Sequence, residues 1–139
     1  MSTHWENYPH EADIGIRGVG NTMAEAFEQA AIALSAIVVD PGQIKHRISI
    51  PIKCQDTDQE LLFFDWINAI IYEMAVGKML FSRFQVSIND NQLLATISGE
   101  SVDVKRHQPA VEIKGATFTT LKVAQNDQGE WVAQTVVDV

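Results

Sequence analysis

Carboxylates near both ends of this 139-residue chain are placed where they could bind a cation together. Asp13 stands at the start of what reads as the first β-strand, and Asp138 stands near the end of the last. If these strands are antiparallel neighbours, the start of one lies beside the end of the other. Calcium and magnesium prefer oxygen ligands of this kind. The alternative is that Asp13 is a turn residue and Asp138 a solvated acid near the terminus.

Two residues are candidates to join such a site. His10 precedes Asp13 closely enough to be a ligand, although a single histidine near a carboxylate is more often its hydrogen-bonding partner. Asp40 stands directly before a Pro-Gly pair, where aspartate ordinarily forms the turn that ends a helix. Both interpretations stay open for each residue.

Further along the chain, charged side chains collect in the segment SGESVDVKRH, residues 98–107. This segment includes Asp103 and His107, and it is predicted to be a polar connection at the solvated surface. Lys114, in VEIKG, is equally well explained as an exposed lysine on a strand. None of these residues by itself indicates a reaction.

No standard catalytic motif occurs in the chain: G-x-G-x-x-G, the P-loop, G-x-S-x-G and H-E-x-x-H are all absent. Cys54 is the only cysteine, which excludes an internal disulfide and a thiolate metal cluster, and it continues an apolar strand face. We therefore predict that the protein is not an enzyme. The rival hypothesis is a metal-dependent hydrolase, in which a cation on Asp13 and Asp138 activates water while His10 or His107 transfers protons.

The charge balance restricts the partners. Ten basic and eighteen acidic side chains give a net charge of −8, which disfavours tight, direct binding of nucleic acid and suits cations or basic protein surfaces. The longest apolar stretch, LLFFDWINAII, is interrupted by Asp65 and Asn68 and falls short of the roughly 20 residues that span a bilayer. We expect one cytoplasmic domain over residues 1–139, without membrane contact.

Two helices are predicted. Apolar residues recur at intervals of three and four between Asn21 and Asp40, after a T-x-x-E capping box at Thr22. A second box at Thr57 precedes a helix that reaches about Gly77. This helix is apolar on most of its circumference, which predicts burial against a sheet.

The rest of the chain alternates with period two, as β-strands do. Residues 47–53 include Pro51, which is typical of an edge strand. Polar turns at residues 89–91 and 126–129 predict two β-hairpins. Together the elements predict an α+β fold, with two helices packed on a mainly antiparallel sheet in a single layered domain.

Four segments in order resemble the archease family, the small protein activators of the tRNA-splicing RNA ligase. They are YPHEADIGIRGVGNTMAEAFEQAAIALSAIVVD, then GES-VD with RH close behind, then VEIKGATF, and the ending W-VAQTVVDV. The resemblance covers nearly the whole chain. One position departs from it, because Thr119 stands where the family usually has a histidine after KGATF.

The resemblance implies residue roles. Asp13, Asp138 and the carbonyl or carboxylate of Val139 would hold a divalent cation, calcium or magnesium, with Asp40 as an additional ligand. Lys114 would belong to the functional surface that contacts the ligase. The remaining candidates for that contact are Asp103, His107 and His10.

The resemblance also implies an indirect role in catalysis. The partner ligase joins RNA ends after one of its histidines is guanylylated, and the family promotes that guanylylation and multiple turnover. On this view the ligase holds the RNA, in keeping with the acidic charge of this chain. A third hypothesis is an interaction module for RNA-processing enzymes that binds no metal.

Overall fold

Two antiparallel sheets and two long helices make up residues 3–139, the part of the chain that the computed structural model describes. The strands are β1 His4–His10, β2 Asp13–Gly20, β3 Ile48–Gln55, β4 Met79–Asn89, β5 Gln92–Ser101, β6 Gly115–Ala116, β7 Lys122–Gln125 and β8 Trp131–Asp138. The helices are α1 Met23–Val38, α2 Gln59–Gly77 and the short α3 Val104–His107, with a 3-10 turn at Pro41–Gln43.

The larger sheet has the strand order β1-β2-β8-β6, and β7 also pairs with β8. The smaller sheet has the order β3-β5-β4, so β3 is an edge strand, as Pro51 predicted. All these pairs are antiparallel. The fold class is therefore confirmed, although the strands divide into two sheets, the strand β1 precedes Asp13, and a third, four-residue helix follows β5.

Helix α1 begins where the capping box predicted. The hydroxyl of Thr22 accepts a hydrogen bond from the Glu25 N–H at 3.1 Å, while the Glu25 carboxylate accepts from the N–H of Asn21 at 3.3 Å. The helix then packs closely on β2, because a Cβ at Gly18 would collide with the backbone at Ala26 and Ala30. The glycine therefore sets the distance between helix and sheet.

Helix α1 also covers the outer edge of β4. The Ser35 hydroxyl donates to the carbonyl of Phe81 at 2.6 Å, and the Glu28 carboxylate accepts from the N–H of Val86 at 2.8 Å. Polar groups that an edge strand would leave open are thus paired with a helix. Through these contacts α1 joins the two sheets.

Helix α2 is capped by Asp58, and the prediction that Thr57 caps it was wrong. The Asp58 carboxylate accepts from the N–H groups of Glu60 and Leu61, at 2.8 and 3.1 Å. Trp66 is fully buried, and its indole N–H donates to the carbonyl of Phe27 at 3.0 Å.

Burial of α2 is less complete than its composition predicted. Tyr72 and Val76 are 60% and 65% exposed, so the C-terminal half of the helix keeps one apolar face at the surface. Within residues 3–139, no helix has the length and apolar character needed to cross a membrane.

Both predicted hairpins form. Asp90 and Asn91 have positive φ and make the two-residue turn between β4 and β5, a conformation that these residue types tolerate well. The second hairpin joins β7 to β8 through residues 126–130. The strand before that turn, β7, has only four residues, and residues 117–121 lie outside it.

Candidate functional site

Asp13 and Asp138 stand at adjacent ends of neighbouring strands. Strands β2 and β8 are antiparallel, and their register pairs Ile14 with Val137. The next position along this register sets Asp13 opposite Asp138, as the predicted strand pairing requires. Asp13 is half-buried and Asp138 is exposed. We call Asp13, Asp138 and Val139 the acidic corner.

His10 lies on the other side of Asp13. The register of β1 and β2 pairs His10 with Asp13 across the turn Glu11-Ala12, in which Glu11 has a φ of 53°. His10, Asp13 and Asp138 therefore form a row across three strands, with neighbouring strands roughly 4.8 Å apart. The fold brings His10 to the acidic corner.

The donor set of the acidic corner fits a hard cation only with help from the main chain. Within residues 3–139, no ion pair engages Asp13 or Asp138, so no lysine or arginine neutralises them. In the same residues, no three side chains of His, Cys, Asp and Glu group together as metal ligands. A cation here would therefore take two carboxylates together with oxygens of the Val139 main chain, an all-oxygen set suited to calcium or magnesium.

Asp40 has a turn role in the structure. Its carboxylate accepts from the N–H of Gly42 at 3.0 Å and caps the 3-10 turn that follows α1. The side-chain amide of Asn7 donates to the carbonyl of Gly15 in β2 at 3.2 Å and to that of Ala33 in α1 at 3.1 Å. The C-terminal half of α1 therefore lies over the start of β2. Asp40 is thus at the same end of the fold as Asp13, but it does not form a side-chain cluster with the two acids.

Lys114 adjoins the acidic corner through its backbone. Its N–H donates to the carbonyl of Asp138 at 2.8 Å, and the next residue, Gly115, pairs with Asp138 in the β6–β8 register. The Lys114 side chain is exposed. The exposed ammonium group of Lys114 therefore belongs to a residue whose backbone is hydrogen-bonded to Asp138.

Thr119 is exposed, at the position where the family resemblance implied a histidine. Its N–H donates to the Thr117 hydroxyl at 3.2 Å, and its carbonyl accepts from the N–H of Val136 at 3.1 Å. The backbone at this position is thus fixed against β8, while the side chain is a short alcohol.

Two side chains of the segment that was predicted to be solvated, Glu100 and His107, are buried in an ion-pair cluster, whereas Asp103, Lys105 and Arg106 are exposed as predicted. Glu100 is only 4% exposed, because β5 continues to Ser101. Its carboxylate accepts from Arg106 Nη2 at 2.6 Å and from the Lys45 N–H at 2.7 Å, and Arg47 Nε lies 3.4 Å away. Arg106 above all, together with the Lys45 N–H, holds the pKa of Glu100 far below its ordinary value.

His107, a predicted partner contact, belongs to this buried cluster. It is 5% exposed, and its Nδ1 accepts from the Asp103 N–H at 2.9 Å. The proton must therefore sit on Nε2, which donates to Glu100 at 3.0 Å. With both ring nitrogens engaged in the interior, His107 is a structural residue. Asp103 is exposed and caps α3 by accepting from the Arg106 N–H at 3.3 Å.

Sequence reasoning missed the role of Glu100 because residues 98–107 were predicted to be a polar connection, whereas β5 continues to Ser101. The spacing of Asp103 and His107 was a usable signal for the short helix α3, since an aspartate can cap a helical turn that ends four residues later. Of the two arginines that pair with Glu100, Arg106 is only six residues away, whereas Arg47 comes from a distant segment that no local pattern reveals.

Comparison with known proteins decides the family. The model of the Archease protein family matches residues 5–139. This chain belongs to the archease family. The archease of Pyrococcus furiosus is 34% identical, with 97% of this chain and 98% of that protein aligned. The archease of Sulfolobus acidocaldarius is 32% identical, with 99% of each chain aligned.

Solved structures of archease-like proteins have the same fold. The solution structure of Methanobacterium thermoautotrophicum protein 1598 superposes with a TM-score of 0.85 at 26% identity, over 97% of this chain and 98% of the other. A Thermotoga maritima crystal structure, described as an archease and possible chaperone, gives a TM-score of 0.59 at 20% identity, over 96% of each chain. The second likeness shows the fold alone.

Proposed function

We propose that this archease is a metal-binding protein cofactor that activates a tRNA-splicing RNA ligase in the cytoplasm, by promoting ligase guanylylation and multiple turnover. Family membership supports an accessory role. The observation that carries the metal-dependent part is the cross-strand placement of Asp13 and Asp138, without a cationic side chain to neutralise them within residues 3–139.

The acidic corner gives the proposal its chemistry. Asp13, Asp138 and a main-chain oxygen of Val139 would hold the cation, which when bound supplies positive charge at the surface. The exposed ammonium of Lys114 adds a second positive group beside it. We infer that this surface contacts the ligase near its nucleotide site and that the ligase holds the RNA.

Residues of this chain argue against an independent reaction. Burial raises the pKa of the Cys54 thiol to about 11, so it is not a ready nucleophile. His107 has both ring nitrogens engaged inside the protein, which removes one of the two proton carriers of the hydrolase hypothesis. That hypothesis now depends on His10, the cross-strand neighbour of Asp13.

The direct test is the rate of ligase guanylylation with substoichiometric amounts of this protein and a divalent cation. We expect each molecule to activate many ligase molecules. An unchanged rate at every ratio would contradict the proposal. Phosphoester turnover without ligase, abolished by His10→Asn, would instead establish the hydrolase, and calorimetry that detects no cation binding would leave the metal-free interaction module.

A further inference from the structure

The fold gathers positive charge at one corner of an acidic molecule. Lys45, Arg47, Lys105 and Arg106 are four of the ten lysines and arginines in a chain of net charge −8. They come from two distant segments that meet at Glu100, which accepts from the Lys45 N–H and pairs with both arginines. All four cationic residues are exposed. We call these four residues the basic corner.

Glu100 organises the basic corner and leaves part of it available. Arg106 is fixed at two points, since Nη2 pairs with Glu100 and Nη1 donates to the Gln43 carbonyl at 3.0 Å. Arg47 approaches Glu100 through Nε alone, at 3.4 Å, and the contacts within residues 3–139 leave its two terminal amino groups open. The side chain of Arg47 is 63% exposed. Its outer donors therefore face solvent.

A surface pocket of about 630 Å³ opens between the two segments. Arg47 and Arg106 line it, together with Ser101, and Glu100 forms part of its wall. Arginine donors in a fixed fork match phosphate oxygens, and a hydroxyl adds a neutral donor. Asp103 is the other acid in the lining, and it is occupied in part by capping the Arg106 N–H.

We propose that the basic corner binds phosphate groups of RNA. This rests on the proposed function, because the RNA would be the strand that the ligase joins. Aromatic side chains are absent from the lining of this pocket within the described residues, so base stacking is not available and contact is made to the backbone without sequence preference. The net charge of −8 keeps this binding weak in the free protein, and the ligase supplies the remaining affinity.

The test uses the full chain and a fluorescently labelled single-stranded RNA oligonucleotide, in EDTA so that no cation bridges the acidic corner. We expect binding at low salt, with a slope of log K against log salt between about −1.4 and −2.8, as for two to four phosphates. The double variant Lys45→Gln/Lys105→Gln, called the basic-corner variant, should weaken RNA binding about tenfold. It should also reduce the steepness of the salt slope by roughly 1.4. The matched control Lys53→Gln/Lys122→Gln changes the net charge equally at exposed positions elsewhere and should bind nearly as the wild type.

Other probes identify the source of the phosphate. Free GTP and a polyglutamate peptide of equal charge are titrated against the same variants. GTP binding as tight as RNA would make a nucleotide the ligand, and equal binding of polyglutamate would make this an acidic-protein site. Either result overturns the proposal, as does RNA binding that the basic-corner variant leaves unchanged, or no RNA binding by the wild type at low salt.

Guanylylation of the ligase separates this inference from the proposed function, because that step precedes RNA joining. The basic-corner variant should still promote guanylylation while RNA joining at limiting RNA falls. If the wild-type protein does not promote guanylylation of the ligase, the proposed function is contradicted and the RNA-binding result stands by itself. If the variant and the wild type support equal RNA joining at limiting RNA, only the proposal that the basic corner binds RNA is contradicted.

Discussion

The backbone N–H of Lys114 donates to the carbonyl of Asp138 at 2.8 Å, so the lysine and the acidic corner are joined without help from the lysine side chain. Truncation of that side chain should therefore leave the position of Asp138 unchanged. The ammonium and the carboxylate can be tested separately for this reason.

Lys114→Ala should lower activation of the ligase while cation affinity stays as in the wild type. A charge-assisted hydrogen bond lost from the interface costs on the order of 1.5–3 kcal/mol. Asp138→Ala should lose both properties. Guanylylation time courses and calorimetric cation titrations measure the two effects, and equal activation by Lys114→Ala and wild type would exclude Lys114 from the contact surface.

Asp13→Ala and Asp138→Ala should each abolish tight binding of calcium or magnesium, because each removes one of two carboxylates. Without metal their stability should change little, apart from relief of repulsion between the two acids. With metal, only the wild type should gain thermal stability. Asp127→Ala, in the exposed β7–β8 turn, is the control and should keep wild-type affinity. Metal binding by Asp13→Ala at wild-type strength would show that the two acids do not share a site.

Glu100→Gln should destabilise the protein near neutral pH, since it replaces a buried ionised carboxylate that forms ion pairs with two arginines. The folded-state pKa of Glu100 is lowered, so its contribution is complete above the ordinary glutamate pKa of about 4.3 and is lost as pH falls below that value. Urea unfolding at several pH values should show the difference between variant and wild type shrinking in acid. Glu112→Gln, at an exposed site, should show little difference at any pH.

Gly18→Ala should destabilise the fold by about 3 kcal/mol, because the added methyl group meets backbone atoms of α1 that cannot move aside. Gly115→Ala is a suitable control, since its nearest atom would be the Asn68 side-chain oxygen at 3.8 Å, an ordinary contact. Urea unfolding in EDTA compares the two. Equal stability of both variants would mean that α1 can shift away from β2 at no cost.

Local patterns in the sequence were sufficient for most elements. The spacing of apolar residues and the Thr22 cap predicted α1, and the polar turn at residues 89–91 predicted the β4–β5 hairpin, because both depend on neighbours in the chain. The same logic failed at Thr57. Two potential caps stand side by side there, and the Asp58 carboxylate accepts two N–H groups at the helix start.

The sequence by itself determined that Asp13 and Asp138 stand at strand ends, and that one family unites the motifs. Tertiary structure alone decided which distant residues meet. Register between β2 and β8 set the two acids opposite each other, and the meeting of residues 45–47 with 105–107 buried Glu100 and His107. Burial depends on the packing of the whole fold, and the contacts of Glu100 with Lys45 and Arg47 join segments far apart in the chain, whereas periodicity and capping report only on neighbours. The burial of Glu100 and His107 was therefore not predicted, although the other charged residues of segment 98–107 are exposed as expected.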